Sequence, residues 1–214
     1  MTDKFTILIG TCDKYSFLWK DFATLFNRYW DSDIKVRKYF LSETLSEEIE
    51  GFEFITPGKV PYSDCIKNAL DIIQTPYVLW LQDDYFLRKT INKEKFKYYF
   101  DFIEKNNVDR FGIKDDSKYY AKSKFIDEIW KIDPKSQYTI SMQASIWNVS
   151  YFKKCLNSNE TPWQFELDGT RRINNNNMSN NIYFELQNSP WYLEGMKKGK
   201  VTNDYHKIKE YEGL

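Results

Sequence analysis

Apolar and polar positions alternate along this chain in two rhythms. Residues 5–10 (FTILIG) form a short unbroken apolar run bounded by polar residues, the pattern of a buried strand. Over residues 16–30 the rhythm changes. Phe17, Leu18, Phe22, Leu25, Phe26 and Tyr29 recur every three to four positions, which predicts an amphipathic helix packed on a sheet. Extended segments are predicted at 35–41 and within GFEFITP (51–57), and helical spacing returns over 62–74 through Cys65, Ile66, Ala69, Leu70 and Ile73. After Thr75-Pro76, the apolar run that opens YVLWLQDDYFL (77–87) reads as a further buried strand, with two adjacent carboxylates, Asp83 and Asp84, at its carboxyl end.

Strand, helix, strand, helix, strand in this order marks a parallel sheet wound with crossover helices, a plan that nucleotide-binding folds share. Downstream the pattern predicts a helix over 92–105, a short strand over 109–114, one or two strands over 138–147 and a helix over 149–156. Residues 118–132 are too polar and too aromatic to assign. In PWQFELDGT (162–170), an extended backbone would put Gln164, Glu166 and Asp168 on one face and Trp163, Phe165 and Leu167 on the other. RRINNNNMSNN (171–181) reads as a flexible polar loop. With 214 residues, no internal repeat and no linker, a single domain over 1–214 is expected.

Composition narrows the partners. The 31 basic and 31 acidic residues cancel, so no global field favours nucleic acid or an anionic membrane, and nucleic acid is not an expected partner. Cys12, Cys65 and Cys155 lie far apart with no CxxC pairing, against a zinc site or a disulfide framework. MTDKFTILIGTCDKY is too brief in its apolar run for a membrane span and lacks the pattern of a secretory signal, so a soluble, cytoplasmic protein is expected. Most of the abundant aromatic rings should be core, with a few available to stack on a base or a sugar.

Two acids at the carboxyl end of a strand in an open α/β sheet lie where such folds bind ligands, and they suit a hard divalent cation carrying a diphosphate. A solvated turn accounts for them equally. Beside Trp163, whose indole offers an apolar face to a sugar ring, a partly desolvated carboxylate, Glu166 or Asp168, would gain affinity for a proton and so become a general base. An ordinary half-buried strand would show the same alternation.

Taken together, FTILIGTCDKY, the helix carrying Lys67-Asn68-Ala69-Leu70, the strand VLWLQDDYF and the segment PWQFELDG resemble the GT-A-type glycosyltransferases, more narrowly the bacterial family-two-like enzymes of surface polysaccharide synthesis. The resemblance implies an α/β fold, a single GT-A-like (Rossmann-like) domain with a mostly parallel central sheet flanked by helices. It divides the chain into a nucleotide-sugar-binding half (1–115) and an acceptor-binding half (116–214). It places Thr11 and Asp13 beside the nucleotide, Glu43 near the base, and Lys67 where the family carries arginine. Asp84 is then expected on Mn2+ or Mg2+, Asp83 on the ribose or a metal-bound water, and His206 as a further metal ligand. Glu166 takes the role of base with Asp168 in reserve, Trp163 meets the acceptor, and Arg171 and Arg172 either approach the diphosphate or solvate a loop.

The implied activity is metal-dependent, inverting transfer of a sugar from a nucleotide-diphosphate donor, a UDP-sugar being favoured, to a hydroxyl of a glycan or lipid-linked acceptor. Peripheral association with the inner face of a membrane would bring the enzyme to such an acceptor. Two departures stand out: Gln82 replaces the first acid of a strict DxD, and Lys67 cannot make arginine's bidentate fork. Two other functions share this plan. One is a non-catalytic carbohydrate-binding protein using Trp19, Trp80, Trp163 and Trp191 as platforms. The other is a sugar nucleotidylyltransferase, against which the first strand runs into TCDKY and not into a Gly-rich phosphate loop.

Overall fold

The structure is a computed structural model that describes residues 3–113, 122–133, 135–176, 178, 181–185 and 191–214. Strand β1 (Phe5–Gly10) leads through a 3-10 turn (Asp13–Leu18) into α1 (Trp19–Tyr29), followed by β2 (Lys38–Leu41), β3 (Glu53–Ile55), α2 (Tyr62–Ile72), β4 (Tyr77–Gln82) and β5 (Tyr85–Leu87). The second half runs α3 (Lys93–Lys105), β6 (Arg110–Gly112), β7 (Lys122–Ile126), β8 (Ile129–Ile132), β9 (Ser145–Asn148), α4 (Val149–Cys155), α5 (Pro162–Asn175) and β10 (Ile182–Glu185). It ends with β11 (Tyr192–Glu194), β12 (Met196–Lys197), β13 (Lys200–Val201) and α6 (Asn203–Glu212). No helix among the described residues is long and apolar enough to cross a membrane.

Nine strands form one sheet in the order β3-β2-β1-β4-β9-β6-β10-β8-β7. The first four are parallel neighbours, β9 and β8 run against the rest, and the sheet is therefore mostly parallel. The chain winds outward from β1 through β2 to β3 and then returns to the other side of β1 as β4. That reversal makes a topological switch point between β1 and β4, where open α/β sheets leave a crevice at their carboxyl edge.

The period of two explains the layering. Ile7 and Ile9 of β1 and Leu79 and Leu81 of β4 enter the core beneath α1 and α3, whereas Leu8, Val78 and Trp80 enter the second core with Ile66, Ala69 and Leu70 of α2 and Phe165 of α5. On α1 the predicted stripe is buried through Phe22, Leu25 and Phe26, but Phe17 precedes the helix in the 3-10 turn and is exposed.

Strand β4 ends, as expected, where the apolar run meets Asp83 and Asp84; the chain turns there, and β5 leaves the main sheet to pair with β11. Two segments depart from expectation. Residues 162–170 are helical. Thr161 and Gln164 form a reciprocal capping box, Pro162 occupies the first turn, and Phe165, Gly169 and Ile173 are buried at a spacing of four. The helix continues to Asn175, so the first half of the stretch read as a polar loop is ordered helix; residues 177, 179 and 180 of that stretch lie outside the described residues. Over 138–147 only Ser145 onward is strand, as β9. The unassigned middle region holds the hairpin β7–β8, with 114–121 outside the described residues.

Candidate functional site

Register brings the ends of three strands level, because Gly10 pairs with both Leu41 of β2 and Gln82 of β4. The chain leaving that edge opens a cleft of about 430 Å³. One wall carries Thr11, Cys12 and Tyr15, another Tyr62, Cys65 and Ile66 from the first turns of α2. Trp80, Gln82 and Asp83 form the floor at the end of β4, and Pro162, Trp163 and Glu166 of α5 close the far side with Met142 and Gln143. Two predicted residues from distant parts of the chain, Asp83 and Glu166, thus share one cleft with Thr11 and Trp163.

Asp83 is almost fully buried, and its carboxylate accepts a hydrogen bond from the Thr11 hydroxyl, whose oxygen in turn accepts one from Trp19 Nε1 at 2.8 Å. Burial pushes its carboxyl up to about 8; the Thr11 hydrogen bond opposes this and the Asp84 charge adds to it. Glu166 is fixed differently. The Met142 amide donates to its Oε1 at 2.7 Å, and the Met142 carbonyl accepts from Trp80 Nε1 at 3.1 Å and Gln82 Nε2 at 3.3 Å. The Met142 peptide is therefore gripped on both sides. Trp80 can reach it because position 10 is glycine: a Cβ there would lie 2.4 Å from the indole ring. Tyr62 packs nearby, and burial raises its hydroxyl with the Glu166 charge adding.

Other predicted residues are held elsewhere. Asp13 braces two loops: its carboxylate accepts from the Thr44 and Leu45 amides at 3.0 Å and from the Thr44 hydroxyl at 2.5 Å. Desolvation would raise its carboxyl, but these bonds prevail and hold it down at about 2. Glu43 accepts from the Asp13 amide at 3.2 Å, at the outer end of the same brace. Lys67 turns to Ser158, with Nζ 3.3 Å from its hydroxyl, because residue 67 lies on the flank of α2 away from the cleft. Asp168, two residues beyond Glu166 on a helix and not a strand, faces outward and pairs with Arg171 at 2.7 Å. Arg172 binds Glu160.

Asp84 does not line the cleft. Its carboxylate accepts from the Met196 amide at 3.2 Å and its carbonyl from the Gly195 amide at 2.7 Å, so it faces the hairpin β12–β13. His206 is exposed on α6 beside the Tyr205 ring. Among the described residues no group of three or more His, Cys, Asp and Glu side chains gathers to hold a metal ion. What the cleft supplies is the single carboxyl of Asp83, the least with which a Mg2+-type ion is held when substrate phosphates complete its shell; Asp84, expected on the metal, is turned to the hairpin instead. The donor set fits a cation on those terms alone.

Of the four tryptophans weighed as sugar platforms, Trp19 and Trp80 are 0% and 1% exposed and belong to the cores, whereas Trp163 is 74% exposed at the cleft mouth. Sequence reasoning missed Tyr15, Tyr62, Cys65 and Met142 as cleft residues, and named Trp80 only as a sugar platform. Trp80 and Gln82 sit at i and i+2 on one strand face, and Tyr62 and Ile66 at i and i+4 on one helix face, which is the signal that could have found them.

No protein-family model and no curated protein matches this chain. Solved structures do resemble it. A structure of S. aureus TarS residues 1–349 superposes with a TM-score of 0.59 at 15% identity, covering 88% of this chain and 59% of that one. TarS 1–349 in complex with UDP gives 0.59 at 13% identity over the same shares, and in complex with UDP-GlcNAc 0.55 at 16% over 92% and 60%. The chain thus spans about three fifths of those structures. The likeness is one of fold, and the mostly parallel sheet flanked by helices is a GT-A (Rossmann-like) fold.

Proposed function

We propose that this protein is a glycosyltransferase that moves a sugar from a nucleotide-diphosphate donor, a UDP-sugar, to a hydroxyl of a glycan or lipid-linked acceptor. The observation that carries this reading is the meeting of Asp83 and Glu166 across one cleft at the switch point of the sheet. The similar fold of TarS, solved with UDP and with UDP-GlcNAc, supports the choice of donor.

The chain's own groups suit single-displacement chemistry. Thr11 and Asp83 at the ends of β1 and β4 offer a hydroxyl and a carboxyl to the donor's ribose or phosphates. Trp163 stacks the acceptor ring at the mouth. Glu166, aimed by the Met142 amide, takes the proton from the acceptor hydroxyl as its oxygen attacks the anomeric carbon, and the bond to the nucleotide diphosphate breaks on the opposite side, with inversion. Mn2+ or Mg2+, if held by Asp83 together with the donor's own phosphates, would neutralise charge on the departing diphosphate.

A thermal-shift screen of nucleotide sugars with and without Mn2+ tests donor binding. A UDP-sugar should raise the melting temperature where a sugar and a nucleoside triphosphate do not; stabilisation by the triphosphate alone would favour a nucleotidylyltransferase. Glu166→Gln should retain the donor shift and lose turnover by about a hundred- to ten-thousand-fold. Full activity in that variant would remove Glu166 from the chemistry.

A further inference from the structure

The cleft is short of positive charge. Among the described residues that line it there is no lysine or arginine, yet it holds the carboxyl groups of Asp83 and Glu166. A donor diphosphate entering there would meet no fixed positive charge, and Arg171 and Arg172, the cations nearest in sequence to Glu166, are already paired with Asp168 and Glu160. A phosphate site in this place needs cations from its rim.

The rim has them. Hairpin β12–β13 reads Met196-Lys197-Lys198-Gly199-Lys200-Val201, and Lys197, Lys198 and Lys200 are all exposed, without an ion pair among the described residues. Two-residue strands do not hold a hairpin by themselves, so its place is set by what anchors it. Asp84 accepts the Met196 amide, the Thr202 amide donates to the Gly195 carbonyl at 2.9 Å, and the Thr202 hydroxyl donates to the Glu194 carbonyl at 3.0 Å. Its tip approaches the cleft directly: a Cβ on Gly199 would lie 3.8 Å from the Tyr15 hydroxyl, and Tyr15 lines the cleft. A fourth cation, Lys14 Nζ, stands 5.8 Å from the centroid of the same tyrosine ring.

The turn geometry is unusual for its composition. Lys198 and Gly199 have φ of 52° and 74°, the left-handed pair that a two-residue type I′ hairpin demands. Asn or Gly fits the first of those positions with less strain than lysine, so a long cation stands there despite the backbone's preference.

We propose that the lysine hairpin 197–200 is the diphosphate-binding rim of the cleft, with Lys197, Lys198 and Lys200 supplying the positive charge that the interior lacks and Asp84 acting as the anchor that holds the hairpin at the mouth. This rests on the donor reading above and deepens it. The site would take the diphosphate of a nucleotide donor and would leave the nucleoside to the walls of the cleft.

The test is calorimetric titration of UDP and of uridine, with and without Mn2+ and at low and physiological salt, into the wild-type chain and a triple variant. Lys197→Gln, Lys198→Asn and Lys200→Gln remove the charges and relieve the turn, and an unchanged melting temperature checks the fold. The expected result is UDP affinity about tenfold or more weaker in the variant, with a flatter salt dependence and unaltered uridine binding. Equal UDP affinity and equal salt dependence in the two proteins would overturn the hairpin proposal and leave the donor reading standing. Equal loss for uridine and UDP would overturn it too, since the lysines would then not be reading phosphate. A wild-type chain that binds UDP under none of these conditions would end both readings.

Discussion

Replacing Asp83 by asparagine should make the protein more stable, although it removes a carboxyl group from the candidate site. Asp83 is 4% exposed, and its carboxyl is pushed up to about 8, chiefly by burial. An unfolded chain would release that proton near the ordinary aspartate value of about 3.9. The folded state therefore holds a proton that the unfolded state has lost, and stability falls as pH rises from about 4 to about 8. At pH 7 the span above the unfolded value is roughly three units, and at about 1.4 kcal/mol for each the cost is on the order of 4 kcal/mol.

Asparagine is neutral, has nearly the shape of the protonated acid, and keeps a carbonyl oxygen for the Thr11 hydroxyl. Urea denaturation of Asp83→Asn and wild type across pH, in buffer containing a chelator, reads the difference directly. The two proteins should be nearly equal below pH 4, diverge in favour of the variant up to about pH 8, and run parallel above it. A difference that does not change with pH, or a variant less stable than wild type at pH 8, would refute the account of Asp83 as a carboxyl desolvated by this cleft.

Three further outcomes are expected. Gly10→Ala should cost about 1–3 kcal/mol in chemical denaturation, since its Cβ would collide with an indole that is itself hydrogen-bonded to Met142; wild-type stability would mean that Trp80 moves freely. Asp13→Asn should flatten the acid limb of the stability profile: with the folded carboxyl held down at about 2, its contribution is present above about pH 4 and is lost as pH falls toward 2. An unaltered acid limb would count against the brace to Thr44 and Leu45. Asp168→Ala should leave turnover of a UDP-sugar unchanged, because its carboxylate pairs with Arg171 outside the cleft; loss matching that of Glu166→Gln would reverse the two roles.

By itself the sequence determined whatever depends on local period and local chemistry. β1, α1, α2 and β4 could be read because apolar residues at spacings of two and of three to four show which positions face a core, and strand–helix alternation leaves parallel winding as the simple solution. Asp83 at the end of its strand followed from the place where the apolar run stopped. The capping box at Thr161 and Gln164 was equally local, and weighing it against the alternation in PWQFELDG would have made α5 a helix and sent Asp168 to the opposite side from Glu166. Tertiary structure alone decided the rest. Whether Asp83 or Asp84 faces the cleft depends on a turn whose second residue is captured by Met196, 112 positions away. Glu166 is aimed by a peptide at Met142 that Trp80 and Gln82 grip, and the lysines of the hairpin reach the rim only because β11 pairs with β5. Contacts between residues so far apart in the chain leave no period in it, since each is set by the register of strands and the packing of layers.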